Sequence, residues 1–115
     1  MYIGKIGEIA SAPVEVVGAK NAVKKHLIGP AEGWKGWVMR MFILDAGGHS
    51  PLHTHPWPHI NYVVSGRGTL SVDGKAMPVA EGSVAYVPAG KEHQYVSAPD
   101  ESLVFICIVP EEGDR

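Results

Sequence analysis

The sequence predicts an all-β protein in which short strands form two stacked antiparallel sheets or one curled barrel. Three observations lead to this fold class. No segment keeps a 3.6-residue hydrophobic period over three turns, as an amphipathic helix would. The 14 glycines and 9 prolines are spread along the chain, so they separate many short segments rather than form one linker. The dipeptide Asp73-Gly74 indicates a tight hairpin, because both turn residues must tolerate positive φ.

The predicted strands follow one another along the chain with turns between them. They cover residues 22–29, 36–45, 59–66, the two arms of a hairpin within 68–79, and then 83–88, 93–98 and 102–110. The segment 36–45 is apolar on both faces except for Arg40. Residues 1–30 are apolar but irregular, and we expect them to contain a strand that adds to the sheet of a second subunit. Residues 111–115 are expected to form a frayed tail.

Size and charge limit what the protein can be. A chain of 115 residues matches one domain, 1–115, with a core of its own. The net charge of −2 provides no basic surface for nucleic acid. There is no apolar run of membrane-spanning length, and residues 1–17 lack the basic and apolar segments of a signal peptide. The single cysteine, Cys107, excludes an internal disulfide and suits a reducing compartment, so we expect a cytoplasmic protein.

Three histidines lie within seven residues, at the start of a predicted strand. His53 and His55 share one face if the backbone between them is extended. The segment Pro56–Pro58 breaks any strand ladder, so a turn there can bring His59 back towards the other two. Converging neutral imidazoles are typical ligands of zinc, copper, iron, nickel or manganese. The alternative is a loop with surface histidines, or rings stacked on Trp57.

A second stretch, residues 82–97, ends an apolar strand in a Pro-x-Gly turn that is followed by a histidine. The two stretches together resemble the paired motifs of the cupin superfamily. The first motif (Gly, five residues, His-x-His, three or four residues, Glu, six residues, Gly) is matched by Gly47, His53, His55, His59 and Gly66. The second (Gly, five residues, Pro-x-Gly, two residues, His, three residues, Asn) is matched by Gly82, Pro88, Gly90, His93 and Ser97. Position 59 departs from the motif glutamate, and position 97 from the motif asparagine.

The resemblance implies a double-stranded β-helix, the jelly-roll barrel of cupins, with its core motifs within 47–97. It also implies four metal ligands: His53, His55, His59 and His93. The sequence looks like that of small single-domain cupins with four histidine ligands that bind manganese. Manganese and iron are therefore the expected metals, with zinc, nickel and copper as alternatives. Small cupins commonly pair, so the resemblance also implies a homodimer.

Four neutral ligands leave a divalent ion with its full charge, so the ion should attract an anionic ligand. The sequence offers no obvious carboxylate base at the site, which favours redox chemistry. We therefore expect a metal-dependent oxygenase that acts on a small, partly hydrophobic organic molecule. The alternatives are a lyase, isomerase or cyclase that uses the ion as a Lewis acid, and a binding module without turnover.

Strand alternation and the resemblance together suggest residues of the substrate pocket. Asn61 shares a face with His59 and would orient a substrate or a bound water molecule. Tyr95 shares a face with His93. The other candidates lie on two further strands, where plain core packing is the alternative role: Trp37, Met39, Phe105 and Cys107. The two histidines outside the motifs, His26 and His49, are not expected to be ligands.

Overall fold

The computed structural model describes residues 1–114 of the chain. These residues contain nine β-strands and three single-turn 3₁₀ helices, joined by turns and loops. The strands are β1 (Ala12–Pro13), β2 (Lys20–Ile28), β3 (Trp37–His49), β4 (His59–Ser65), β5 (Arg67–Val72), β6 (Lys75–Ala80), β7 (Val84–Val87), β8 (His93–Ser97) and β9 (Leu103–Pro110). The 3₁₀ helices are Ile6–Glu8, Pro30–Glu32 and Glu111–Gly113. Every predicted strand is present. No helix in these residues is long and apolar enough to cross a membrane.

The strands form one antiparallel sheet that curls on itself. Neighbouring strands follow the order β6-β5-β8-β3-β9-β4-β7, and β2 also pairs with β3 while β1 pairs with β2. Side chains from strands far apart in this order meet in one inner cluster, for example Leu70 of β5 and Val87 of β7. They meet only because the sheet bends around a common interior, which confirms the predicted curled all-β fold.

Strand β3 decides which side chains reach this interior. It pairs with β2 along one edge and with β9 along the other, and its last residue, His49, pairs with Val96 of β8. Successive residues of a strand point to opposite faces. Arg40 and Phe42 therefore point to the inside, whereas Met39 packs into a second apolar cluster on the outer face.

The N-terminal region folds largely onto its own chain. β2 pairs with β3, and β1 lies along β2, so within this single chain these strands extend the chain's own sheet. The Lys25 ammonium group donates a hydrogen bond to the Ile6 carbonyl (2.9 Å), which holds the first 3₁₀ helix near the outer face. Exchange of residues 1–30 with a second subunit stays a prediction, and so does the homodimer. Residues 1–11 precede the first strand. Met1 and Ile3 are exposed within that segment.

The C-terminal residues pack against the sheet, which corrects the expected frayed tail. The 3₁₀ helix Glu111–Gly113 ends in a buried glycine, where a methyl group would come within 2.6 Å of the Trp57 indole nitrogen. The Asp114 carboxylate then lies 3.7 Å from the Arg40 guanidinium. The tail thus contacts the interior at two points. Arg115, the last residue of the predicted tail, lies outside the described residues.

Two glycines have the same backbone φ but different surroundings, so their alanine variants distinguish the cost of backbone strain from the cost of steric overlap. Gly66, between β4 and β5, and Gly82, between β6 and β7, both have φ +87°. A methyl group at Gly66 would overlap the Ser102 carbonyl oxygen, whereas one at Gly82 would meet open space. Both alanine variants should lose about 1–2 kcal/mol of unfolding free energy from the left-handed conformation. Gly66→Ala should lose about 1–3 kcal/mol more from the overlap.

Urea unfolding followed by tryptophan fluorescence measures both free energies, with Gly82→Ala as the matched control. Equal losses in the two variants would contradict the close approach at Gly66.

Candidate metal centre

The histidines converge because two loops pair with each other. His53 lies in the loop between β3 and β4, and His93 begins β8. Their backbones form an antiparallel bridge, with each N–H donating to the other residue's carbonyl at 3.2 and 3.0 Å. A third bond runs from the Gly90 N–H to the His55 carbonyl (2.9 Å). These bonds join the two sequence motifs, which are far apart along the chain.

The four predicted ligand rings meet in one place, the histidine cluster. His53, His55 and His93 each offer a ring nitrogen within 4.8 Å of the others, so these three could hold a metal ion. The Nε2 atom of His59 lies 3.0 Å from the Nε2 atom of His93. His59 and His93 are almost completely buried, at 5% and 4% exposed. Strand β4 therefore delivers His59 to the other three rings, as the turn at Pro56–Pro58 predicts.

Hydrogen bonds fix how three of these rings are oriented. In each, Nδ1 lies within hydrogen-bond distance of an oxygen two residues away: Trp57 O for His55 (2.7 Å), Asn61 Oδ1 for His59 (2.8 Å) and Lys91 O for His93 (2.8 Å). A carbonyl oxygen only accepts, so Nδ1 carries the hydrogen in a neutral ring and Nε2 keeps its lone pair. The Trp57 ring also stacks on the His55 ring, with centroids 4.6 Å apart.

This donor set fits a divalent transition metal. The Nε2 atoms of His59 and His93 both present lone pairs at 3.0 Å, a distance at which two acceptors repel unless a cation or proton lies between them. Neutral imidazole nitrogen is a ligand that such metals prefer. Anchoring of the other ring nitrogen is the usual arrangement for histidine ligands, because it fixes the tautomer and the ring plane.

Burial keeps the rings in the neutral form that a metal requires. It lowers the pKa of His53 to about 4 and that of His59 to about 3, and the neighbouring His93 adds to both shifts. The pKa values of His55 and His93 are also lowered, again mainly by burial. At neutral pH the cluster is therefore deprotonated and can bind a cation without first releasing protons.

The cluster lies in the wall of a cavity of about 270 Å³. This volume is near the lower end for small-molecule sites. Apolar and aromatic side chains form most of the remaining wall, notably Phe42, Leu44, Trp57 and Phe105. Apart from the histidine cluster, the polar side chains of this wall are Arg40, Ser50, Thr54, Tyr95 and Cys107. A small, partly hydrophobic molecule suits such a lining.

Three of the predicted pocket residues line the cavity, namely Tyr95, Phe105 and Cys107. Asn61 has a different role from the expected one. It is 1% exposed, accepts the His59 hydrogen bond and donates to the Ile106 carbonyl (3.3 Å). Its amide therefore holds the His59 ring.

Two predicted pocket residues lie elsewhere. Met39 points to the outer face of β3 and packs in the second apolar cluster. Trp37 shares the outward parity of Met39 and lies at the start of the strand, where it is 44% exposed and stacks near Trp34 with ring centroids 6.4 Å apart. Neither Met39 nor Trp37 lines the cavity. Alternation along β3 does not indicate which face of the strand is internal or where the cavity ends, so the sequence pattern could not exclude them.

Arg40 is the residue that sequence reasoning did not place in the site. Its guanidinium lines the cavity, is 8% exposed as a residue, and donates from Nη2 to the Cys107 Sγ atom (3.3 Å). The guanidinium also lies 4.9 Å from the centre of the Phe42 ring. A signal for it existed in the sequence, since Arg40 is the one charged residue inside an otherwise apolar strand.

The histidines outside the motifs stay outside the cluster. His26 is exposed and contacts the Glu32 carboxylate at 2.7 Å, and His49 contacts the Ser50 carbonyl at 3.1 Å. Ser97, at the position of the motif asparagine, donates to the carbonyls of Asp45 and Gly48 and so holds the end of β3.

Comparison with known sequences identifies the family of this protein. The cupin domain family matches residues 40–109, more than half of the chain, so the chain belongs to that family. A curated relative, the 1-methylthio-D-xylulose 5-phosphate methylsulfurylase of Rhodospirillum rubrum, is 34% identical over 95 residues. The match covers 83% of this chain but only 60% of that relative, so the chain spans less than two thirds of its length.

Solved structures superpose closely on this chain and support its assignment to the cupin family. The polyketide cyclase RemF from Streptomyces resistomycificus superposes with a TM-score of 0.90 at 27% identity, over 96% of this chain and 79% of RemF. A cupin-2 domain protein from Rhodospirillum rubrum superposes with a TM-score of 0.82 at 25% identity, over 100% of this chain and 77% of that one. The cupin barrel is thereby confirmed.

The lowered pKa values predict how the metal-free protein responds to acid. The unfolded chain takes up protons at histidine near pH 6.5, whereas folded His53 and His59 do so only near pH 4 and 3. Their contribution to the unfolding free energy is thus complete above pH 6.5 and falls as the pH is lowered. His59→Gln should remove part of this dependence, roughly 2–3 kcal/mol between pH 7 and pH 4.

Urea unfolding in the presence of chelator at several pH values measures the effect. His49→Gln, outside the cluster, is the matched control. A pH dependence that is the same in His59→Gln and in the wild type would contradict the burial of a neutral ring at this position.

Proposed function

We propose that His53, His55, His59 and His93 bind a divalent transition-metal ion and that the protein is a metal-dependent oxygenase. Manganese and iron are the favoured metals. The substrate would be a small, partly hydrophobic organic molecule. The observation that supports the metal site is the convergence of three ring nitrogens within 4.8 Å and of a fourth 3.0 Å from one of them. A bound ion would polarise an oxygen of the ligand and, if it is manganese or iron, could exchange electrons with dioxygen.

The protein's own residues supply position and environment. The carbonyls that accept from Nδ1, and Asn61 beside His59, hold the rings in place so that little reorganisation is needed on binding. Phe42, Phe105 and Trp57 contribute apolar walls that exclude water from the ligand. Low solvent access strengthens every electrostatic contact made inside the cavity.

The composition of the wall favours oxidation over chemistry that begins with proton abstraction. None of the lining residues in the described part of the chain is Asp or Glu. Burial raises the pKa of the Tyr95 hydroxyl and of the Cys107 thiol, so both stay protonated at neutral pH. A general base would have to be one of the histidines, which are already assigned to the metal.

A second candidate is a cyclase or lyase that uses the ion as a Lewis acid. One observation favours it, the close superposition with the polyketide cyclase RemF over nearly the whole chain. The cavity would then fold a flexible substrate against its apolar walls rather than admit dioxygen. Cupins carry many unrelated activities on one barrel, so the fold leaves both chemistries possible.

The metal site is tested by uptake. Untagged protein should retain close to one equivalent of a transition metal per chain. His93→Ala should retain much less, because the His93 ring centroid lies within 4.8 Å of those of the other three rings. A loss of at least about tenfold in affinity is expected for a removed ligand. Elemental analysis and competition with a chelator measure both quantities, with Mn²⁺, Fe²⁺, Ni²⁺, Cu²⁺ and Zn²⁺ supplied separately.

His26→Ala is the matched control, since His26 is exposed, contacts the Glu32 carboxylate and is not among the residues that line the cavity. Metal retention that is equal in His93→Ala and in the control would overturn the site. The absence of uptake by the wild type would do so as well.

The oxygenase and the cyclase or lyase differ in whether they require dioxygen. Metal-loaded protein is incubated with a panel of diketones, flavonoids and alkenes under air and under strict anaerobic conditions, and products are followed by mass spectrometry. The oxygenase proposal expects product mass to increase by oxygen atoms and turnover to stop without dioxygen. Equal turnover in both conditions supports the cyclase or lyase, and binding without turnover supports the binding module.

A further inference from the structure

The cavity holds a buried positive charge whose hydrogen-bonding capacity is mostly unused. Arg40 is 8% exposed and lines the cavity beside the histidine cluster. Its Nη2 atom donates to the Cys107 thiol, which is a weak acceptor. Its Nη1 atom is 3.7 Å from the Asp114 carboxylate, beyond hydrogen-bond length. Its Nε atom is buried and has no hydrogen-bond partner among the described residues.

A second buried donor lies in the same wall. Tyr95 is 2% exposed, and its ring stacks on Phe105 with centroids 4.2 Å apart. The phenolic oxygen is buried, and no described residue makes a hydrogen bond to it. Buried polar groups in folded proteins nearly always have a hydrogen-bond partner. These are the two buried side-chain atoms within residues 1–114 that lack one, and both belong to residues that line the cavity.

The charge of Arg40 is only partly balanced by the protein. Asp114 is the acid in an ion pair with it, and the Asp114 side chain is 32% exposed, so water weakens that attraction. A buried guanidinium without a close counter-ion is costly, which leaves a strong preference for an anion in the cavity. Burial is the main cause of the lowered pKa of His53, His55 and His59, and the Arg40 charge adds to it. Arg40 and the histidine cluster line the same cavity of about 270 Å³, so a molecule bound there lies near both.

We propose that Arg40 and Tyr95 together bind the carboxylate of an organic acid, which makes small aromatic or alkyl carboxylates the ligand class of this cavity. Arg40 would donate from Nε and Nη2 to the planar carboxylate, and Tyr95 would donate from its hydroxyl. Arginine suits this task because its planar fork matches a carboxylate. The apolar remainder of the acid would lie against Phe42 and Phe105. The inference deepens the proposed function by naming its substrate class, and it rests on that function only for turnover.

The test is a fluorine NMR titration of the full-length protein, as purified and again after chelator treatment. The probes are 4-fluorobenzoate and its neutral counterpart 4-fluorobenzamide. Wild-type protein should bind the benzoate saturably and the benzamide at least about tenfold more weakly, as for the loss of a charge-assisted hydrogen bond. Arg40→Met should weaken benzoate binding at least about tenfold, and Tyr95→Phe about threefold or more.

Two variants control for folding and for general charge. Tyr95→Phe removes an oxygen that bonds to no described residue, so its unfolding free energy should stay near that of the wild type even where Arg40→Met is destabilised. Arg67→Met removes an exposed arginine that pairs with Asp100 and Glu101, and it should leave benzoate binding unchanged.

Three outcomes would overturn the inference. They are no saturable benzoate binding by the wild type, equal affinity for benzoate and benzamide, and unchanged benzoate affinity in Tyr95→Phe. A further probe, phenyl phosphate, that bound more tightly than benzoate through Arg40 would replace the carboxylate with a phosphate ester and so overturn the assigned class. Because the chelator-treated titration needs no metal, Arg40-dependent binding alongside failed metal uptake would count against the proposed function alone.

Discussion

The site depends on one backbone interaction, the antiparallel bridge between His53 and His93. The first three cluster histidines come from one stretch of chain and His93 from another, about 35 residues later in sequence. Two hydrogen bonds join those stretches at the position of the ligands themselves. The pair Gly90–His55 extends the same contact. Any movement of one loop relative to the other would therefore separate His93 from its partners.

Around that bridge, the four histidines and the Arg40 guanidinium lie in the wall of one largely apolar cavity. The walls are apolar, and burial in them keeps the imidazoles neutral and ready to bind a cation. The same burial makes the charge of Arg40 costly unless an anion approaches it. A histidine cluster that could hold a metal ion and a buried guanidinium thus share one small cavity. Together they suit an acid whose charged end and reacting centre lie close to each other.

Much of the fold could be predicted from sequence because the determinants are local. Glycine and proline positions separated the strands, and the alternation within each strand was correct. The paired motif spacings then indicated the four rings that the structure brings together. The predictions failed at positions where the local sequence pattern does not indicate which face of a strand is buried or what a segment packs against. Met39 and Arg40 are neighbours on β3, and the sequence alone favoured the methionine for the pocket, whereas the structure turns it outward and the arginine inward. The C-terminal helix was missed because its burial comes from Trp57, not from its own residues.

The sequence by itself determined the class of fold, the turns, and the histidines that can act as ligands, since these follow from side-chain chemistry and short-range spacing. Only the tertiary structure decided which face of β3 is internal, that Asn61 holds His59, and that Arg40 and Tyr95 share the cavity with the cluster. Each of these depends on how far the sheet curls and which distant strands then meet. That curvature is set by the packing of the whole interior, which no local stretch of sequence encodes.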